Sequence, residues 1–128
     1  MATGKCRRRV ERGQATVELA LVLPLAVIFA LVVVQLGVVA KDLVLVGHAA
    51  REGARAAAVD PTVASARAAV VSSSSLAADR LSVSLSGGTG PGDATTVEVR
   101  YRAPTTVPLV GALLPDVSLR ASVTMRVE

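Results

Sequence analysis

The chain has one cysteine, one histidine, one phenylalanine, one tyrosine and no tryptophan in 128 residues. The lone Cys6 stands in a basic leader, so no disulfide is available to the remainder, even in a compartment that would permit one. With His48 the only histidine and no cysteine pair, no cluster offers a metal site. Phe29 and Tyr101 are too few for a platform on which single-stranded nucleic acid could stack. Serines are frequent, yet none is framed by a GxSxG elbow. The segment GGTGPGD (87–93) lacks a following Lys-Ser/Thr and leads into a strand pattern, so it reads as a hairpin turn and not as a phosphate loop. These absences leave no candidate catalytic, cofactor-binding or metal-binding residue. They predict a protein that is not an enzyme and has no cofactor, small-molecule substrate or nucleic-acid partner.

The formal charge of +4 looks like a signal for nucleic acid until it is located. Lys5, Arg7, Arg8, Arg9 and Arg12 against Glu11 supply the whole excess, and residues 14–128 carry nine side chains of each sign. The basic leader precedes a long apolar run, Leu19 to Ala40. If helical, its 22 residues rise about 33 Å, enough to cross a hydrocarbon core of about 30 Å. The run implies a single membrane span, and the positive-inside arrangement puts the N-terminus in the cytoplasm and the C-terminus outside. Pro24, inside the run, predicts a kink. Gln35 and Gly37 read as helix-packing residues or as having no particular role. Glu18 is different. A carboxylate at the mouth of an apolar helix is costly to desolvate and points to a functional partner, with a first-turn dipole partner at headgroup level as the alternative.

The order Gly13, Gln14, Ala15, Thr16, Val17, Glu18 resembles the class III signal of type IV pilins. The stretch GQATVELALVLPL, with AAREGARAAAV further on, resembles the TadE-like minor pilins (pseudopilins) of tight-adherence, or Flp, pili. Leu19 stands where Flp-type major pilins usually carry an aromatic, which brings the match nearer to the minor ones. The resemblance implies that a prepilin peptidase cuts between Gly13 and Gln14, leaving Glu18 fifth in the mature chain. It also implies that Glu18 acts in assembly by neutralising the new amino group of an adjacent subunit. The implied partners are membrane lipid, the peptidase, other pilin or pseudopilin subunits and the assembly machinery. The implied location is the cell membrane, or the pilus itself. A glycine at the cut suits a protease that must approach the backbone closely.

Past Lys41 and Asp42, which mark the outer membrane boundary, the helical pattern continues. Leu43, Val46, Gly47, Ala50, Ala54 and Ala57 recur at spacings of three and four and predict one apolar face of small residues. Lys41, His48, Arg51, Glu52 and Arg55 make the polar face, with His48 and Glu52 a surface pair. Arg51, Glu52 and Arg55 are either a solvated, internally paired group or, by the resemblance, a candidate subunit contact. One helix of on the order of 65 Å is expected from Thr16 to Val59, closed by Asp60-Pro61. The same pair is expected to open a second helix, with Asp60 as cap and Pro61 at its first position. Ala64–Val71 forms its body, the Ser72–Ser75 run weakens it and Leu76–Arg80 extends it; a flexible serine linker is the alternative.

Three alternating segments follow: Leu81, Val83, Leu85; Val97, Val99, Tyr101; and Val117, Leu119, Ala121, Val123, Met125, Val127. Alternation of this kind marks an antiparallel sheet with one buried and one wet face. The loop Pro104–Pro115 carries Leu109, Val110, Leu113 and Leu114, which are expected to pack under the sheet, with a partner-facing position as the alternative. The fold class is therefore α+β: a basic leader (1–13), a long N-terminal helix (14–59, membrane-spanning at about 19–40 and continued over 41–59), and a small pilin-like head (60–128) with a second helix and a three-stranded antiparallel sheet. The competing reading is a secreted or membrane-tethered binding domain without a pilus role, in which Val38-Val39-Ala40 would serve a conventional signal peptidase. Against it, the apolar run exceeds the usual signal core of about 7–15 residues, and the helical face continues past Lys41.

Overall fold

The computed structural model describes the backbone from Gly4 to Glu128 and the side chains from Gly13 onward; the charged side chains of the leader and Cys6 lie outside the described residues. A single helix, α1 (Gly4–Val59), runs unbroken through Pro24. It is followed by α2 (Val63–Ser73), a 3-10 turn (Ala78–Arg80), β1 (Leu81–Gly87), β2 (Ala94–Ala103), the short α3 (Val110–Leu113) and β3 (Val117–Arg126). The strands form an antiparallel sheet in the order β1-β2-β3. Val99 lies opposite both Val83 and Ala121, and Tyr101 opposite both Leu81 and Leu119, so the alternating apolar sets of all three strands share one face.

That face packs on α1 and α2. The core joins Val46, Ala49, Ala50, Ala54 and Ala57 of α1, Ala66 and Val70 of α2, and Val97, Val99, Tyr101 and Leu119 of the sheet. Val46, Val70, Val97 and Val99 are fully buried, and each contributes about 1.5–3 kcal/mol by leaving water. Small residues on α1 let the neighbouring backbones come close. A Cβ built on Gly53 would lie 2.7 Å from Val70 Cγ2 and 3.4 Å from the Ala66 carbonyl oxygen, so glycine is what allows α2 to lie flat against α1. The buried face differs from the expected one at its lower end. Leu43 is 49% exposed, while Ala49 and Gly53 are buried in its stead. A stripe of small residues tolerates a modest rotation of the helix, so the periodicity marked a face without fixing its centre.

The second helix begins later than Asp60-Pro61 suggested. Thr62 is its N-cap, its Oγ1 accepting from the Ser65 N–H at 3.2 Å. Asp60 supports that cap by accepting from the Thr62 hydroxyl at 3.2 Å. The helix ends at Ser73 because the serines turn on the backbone: Ser73 and Ser74 hydroxyls both donate to the Val70 carbonyl, and such local bonds compete with helical ones. Arg67 then fastens α2 to the entry of the sheet by donating to the carbonyls of Ala78 and Leu81. In the β1–β2 hairpin, Gly87 takes φ +110, a region open to glycine. The Asp93 carboxylate accepts from the Gly90 N–H at 3.0 Å to tie the turn.

The loop between β2 and β3 departs from expectation. Val107 and Val110 are buried, but Leu109, Leu113 and Leu114 are 63%, 75% and 49% exposed. They do not pack beneath the sheet. The loop instead descends along α1, where the Val107 N–H donates to Gln35 Oε1 at 3.4 Å and the leucines lie beside Ile28, Leu31 and Val32. At the other end of the sheet the Glu128 N–H donates to the Ala58 carbonyl at 3.0 Å. These two ties fix the direction of the head, with its loop toward the apolar run and its chain end toward the far tip of α1.

Candidate functional site

Gly13, Gln14 and Glu18 lie on consecutive turns at the foot of the described part of α1, all exposed. A Cβ on Gly13 would meet nothing within 4 Å among the described residues, and the bond to Gln14 lies within the continuous helix α1. Gln14 Nε2 donates to Glu18 Oε1 at 3.3 Å, one turn along. From Gly13 to Ala30 every residue is exposed, and Leu19, Leu21, Leu25 and Phe29 are each more than 60% so. Glu18 is the only charged residue between Gly13 and Ala40. The stretch is long and apolar enough to cross a membrane.

The second candidate group lies elsewhere. Arg51 and Arg55 are exposed and Glu52 is half-buried on the upper part of α1, roughly 50 Å from Glu18 at 1.5 Å per residue. Internal pairing, one of the two readings of this group, is not seen: among the described residues the ion pairs are Arg80 with Asp116 and Arg100 with Glu98. His48 is exposed, and no bond joins it to Glu52. The structure thus keeps two stations on one helix and does not bring them together. Arg51 and Arg55 stand exposed on either side of the half-buried Glu52, with no ion pair among the three.

Three residues matter more than the sequence suggested. Gln35 is only 5% exposed and holds the descending loop; its partner is 72 residues away, beyond any local pattern. Asp42, read as marking the outer membrane boundary, is buried. Gly53, inside AAREGARAAAV, is the contact point of α2; a glycine in the middle of an otherwise strong helical pattern was the available signal for it.

No curated protein and no solved structure matches the chain. A family model described as TadE-like protein matches residues 13–55. The match begins at the glycine of the candidate processing junction, takes in Glu18, Gln35 and Gly53, and stops just short of the end of α1. The family suspected from the motifs and the family that matches are the same: residues 13–55, about a third of the chain, are a TadE-like segment.

Proposed function

We propose that the protein is a TadE-like minor pilin, or pseudopilin: a non-enzymatic, single-pass subunit that takes part in assembling tight-adherence (Flp) pili. In this reading a prepilin peptidase cuts between Gly13 and Gln14, on the cytoplasmic side of the cell membrane, and the head stands outside. The observation that carries it is the foot of α1, where an exposed apolar helix bears a single carboxylate, Glu18, five residues beyond an unobstructed glycine. In hydrocarbon a lone carboxylate is expensive, and an opposite charge beside it offsets part of that cost. The α-amino group created at Gln14 of an adjacent subunit would be such a charge. Each pairing would also set the axial register between neighbouring helices. Arg51 and Arg55, exposed, and the half-buried Glu52, with no ion pair among the three, suit a second contact between subunits higher on the same helix.

Cleavage before Lys41, as an exported module would require, has less support. It would sever Gln35 from the loop it holds and cut α1 where Val39 already packs against the head's core. Intact-mass and N-terminal peptide mass spectrometry of the protein from native membranes separates the readings. A chain beginning at Gln14 is expected; a start at Lys41 would overturn the pilin reading. The companion experiment is Glu18→Ala, expected to be inserted and processed yet lost from complexes with partner subunits. Normal assembly of that variant would remove Glu18 from the mechanism.

A further inference from the structure

We propose that the loop between β2 and β3 is a second membrane-inserting element, a knob whose exposed leucines sit among the lipid tails of the leaflet on the head's side. The proposal rests on α1 spanning the membrane. Three observations point to lipid as the occupant. First, the knob lies alongside the span itself: Leu109, Leu113 and Leu114 form an apolar cleft of about 460 Å³ with Ile28, Leu31 and Val32, deep in the run that the sequence assigns to the bilayer. An apolar surface continuous with a lipid-facing helix is solvated by the same lipid.

Second, the knob is built and not slack. Its polar neck is pinned by the Asp116 carboxylate, which accepts from the Thr105 N–H at 3.3 Å and from Arg80 Nη1 at 3.2 Å. The Thr105 hydroxyl donates to the Pro115 carbonyl, and Gly111 packs so near the Thr105 carbonyl oxygen that a Cβ there would come within 2.9 Å. Leu109 is held at φ 68, a backbone region uncommon for a bulky side chain. A loop fastened in this way, presenting three leucines outward, would be a liability in water.

Third, a basic patch shares the neck of the knob. Arg80, Arg100, Arg102 and Arg120 line an open depression there together with Asp79 and Asp116, the latter bound to Arg80, so the cations outnumber the carboxylates four to two. An apolar insert joined to a surface of net positive charge is the arrangement that seats a segment at a membrane surface, with its leucines among the tails and its cations at the headgroup phosphates. The knob requires the head-side boundary to lie at Gln35, six residues below the Lys41–Asp42 boundary read from the sequence, which accords with Asp42 being buried in the head. The 20 residues Ala15–Val34 then cover about 30 Å, a full hydrocarbon core. Ile28 then lies about 10 Å below the boundary, within the depth of about 5–10 Å typical of interfacial elements.

The test uses the full chain with Cys6→Ser and one new cysteine at a time, at Leu113, at Ser84 on the wet face of the sheet, or at Leu23 within the span. Each is labelled with an environment-sensitive fluorophore and reconstituted at high lipid ratio into phosphatidylcholine–phosphatidylglycerol vesicles. Leu113→Cys and Leu23→Cys are expected to be quenched several-fold by lipids brominated on their acyl chains and to ignore aqueous iodide, with Ser84→Cys the reverse. A Leu113 label that follows Ser84, while Leu23 stays lipid-quenched, overturns the knob and leaves the anchor intact. A Leu113 label shielded from both quenchers, together with a disulfide between chains when the unlabelled Leu113→Cys protein is treated with a mild oxidant, overturns it in favour of a second copy as the occupant. Iodide quenching at Leu23 would defeat the membrane anchor itself, and the knob with it.

Discussion

The two halves of α1 share one geometry and use opposite residues. The lower half, Gly13 to Ala30, is exposed throughout although it carries leucine, valine, isoleucine and phenylalanine. The upper half buries Ala49, Ala50, Gly53, Ala54 and Ala57, the smallest side chains available. In water this would be inverted, because a soluble monomer rarely exposes an apolar patch beyond a few hundred Å². The inversion resolves if the halves have different surroundings. Below, large side chains need no protein partner because the medium is itself apolar. Above, the hydrophobic effect operates, and small residues maximise it by letting a sheet and a second helix approach the α1 backbone.

A charge placed on each half should break the symmetry most visibly. Leu25→Arg puts a guanidinium near the middle of the lower half, where insertion becomes less favourable by about 2.5–3.5 kcal/mol. The fraction of protein resisting alkaline carbonate extraction is expected to fall sharply. Leu43→Arg, on the half-exposed side of the upper half, should leave extraction unchanged and alter head stability by no more than about 0.5 kcal/mol. Equal extraction of the two variants would mean that lipid does not solvate the lower half.

Glycine tests the same contrast from the inside. Gly53→Val would force branched carbon against Val70, where even a Cβ has only 2.7 Å; overpacking of this kind costs about 1–3 kcal/mol. For a head of this size that corresponds to a loss of about 4–8 °C in melting temperature for each kcal/mol, read by circular dichroism of the full chain in detergent. Gly37→Val, with nothing within 4 Å of its Cβ, should melt like the parent. A Gly53→Val protein as stable as the parent would show that α2 does not need its close seat on α1.

What could be read in advance followed from local period. The long helix and the strands Leu81–Gly87, Ala94–Ala103 and Val117–Arg126 were visible because alternation or a 3.6-residue repeat survives in the residues themselves. The Gly13–Gln14–Glu18 order was visible for the same reason, being contiguous. What escaped depended on distant partners or on the medium. Nothing near Gln35 announces a bond to Val107, and nothing near Leu113 distinguishes a leucine packed under the sheet from an exposed one. The cap of α2 escaped for a smaller reason: Asp60 and Thr62 are both good cap residues two positions apart, and the choice fell to the one whose oxygen reaches Ser65.

That choice yields the finest test of the comparison, because α2 covers only the upper half of the long helix. Thr62→Ala removes the oxygen that accepts from the Ser65 N–H, a loss of about 1 kcal/mol for a typical N-cap. Asp60→Ala leaves that oxygen in place and removes only its exposed supporting acceptor, so a few tenths of a kcal/mol are expected, as for other exposed bonds of this kind. Thermal melts of the two variants in detergent should rank them in that order, and neither should change carbonate extraction, which reports the lower half alone. The reverse ranking would place the cap at Asp60 and start the helix at Pro61. A change in extraction would be more consequential: it would mean that the two halves of α1 are energetically coupled, and that the head helps hold the lower half in the membrane.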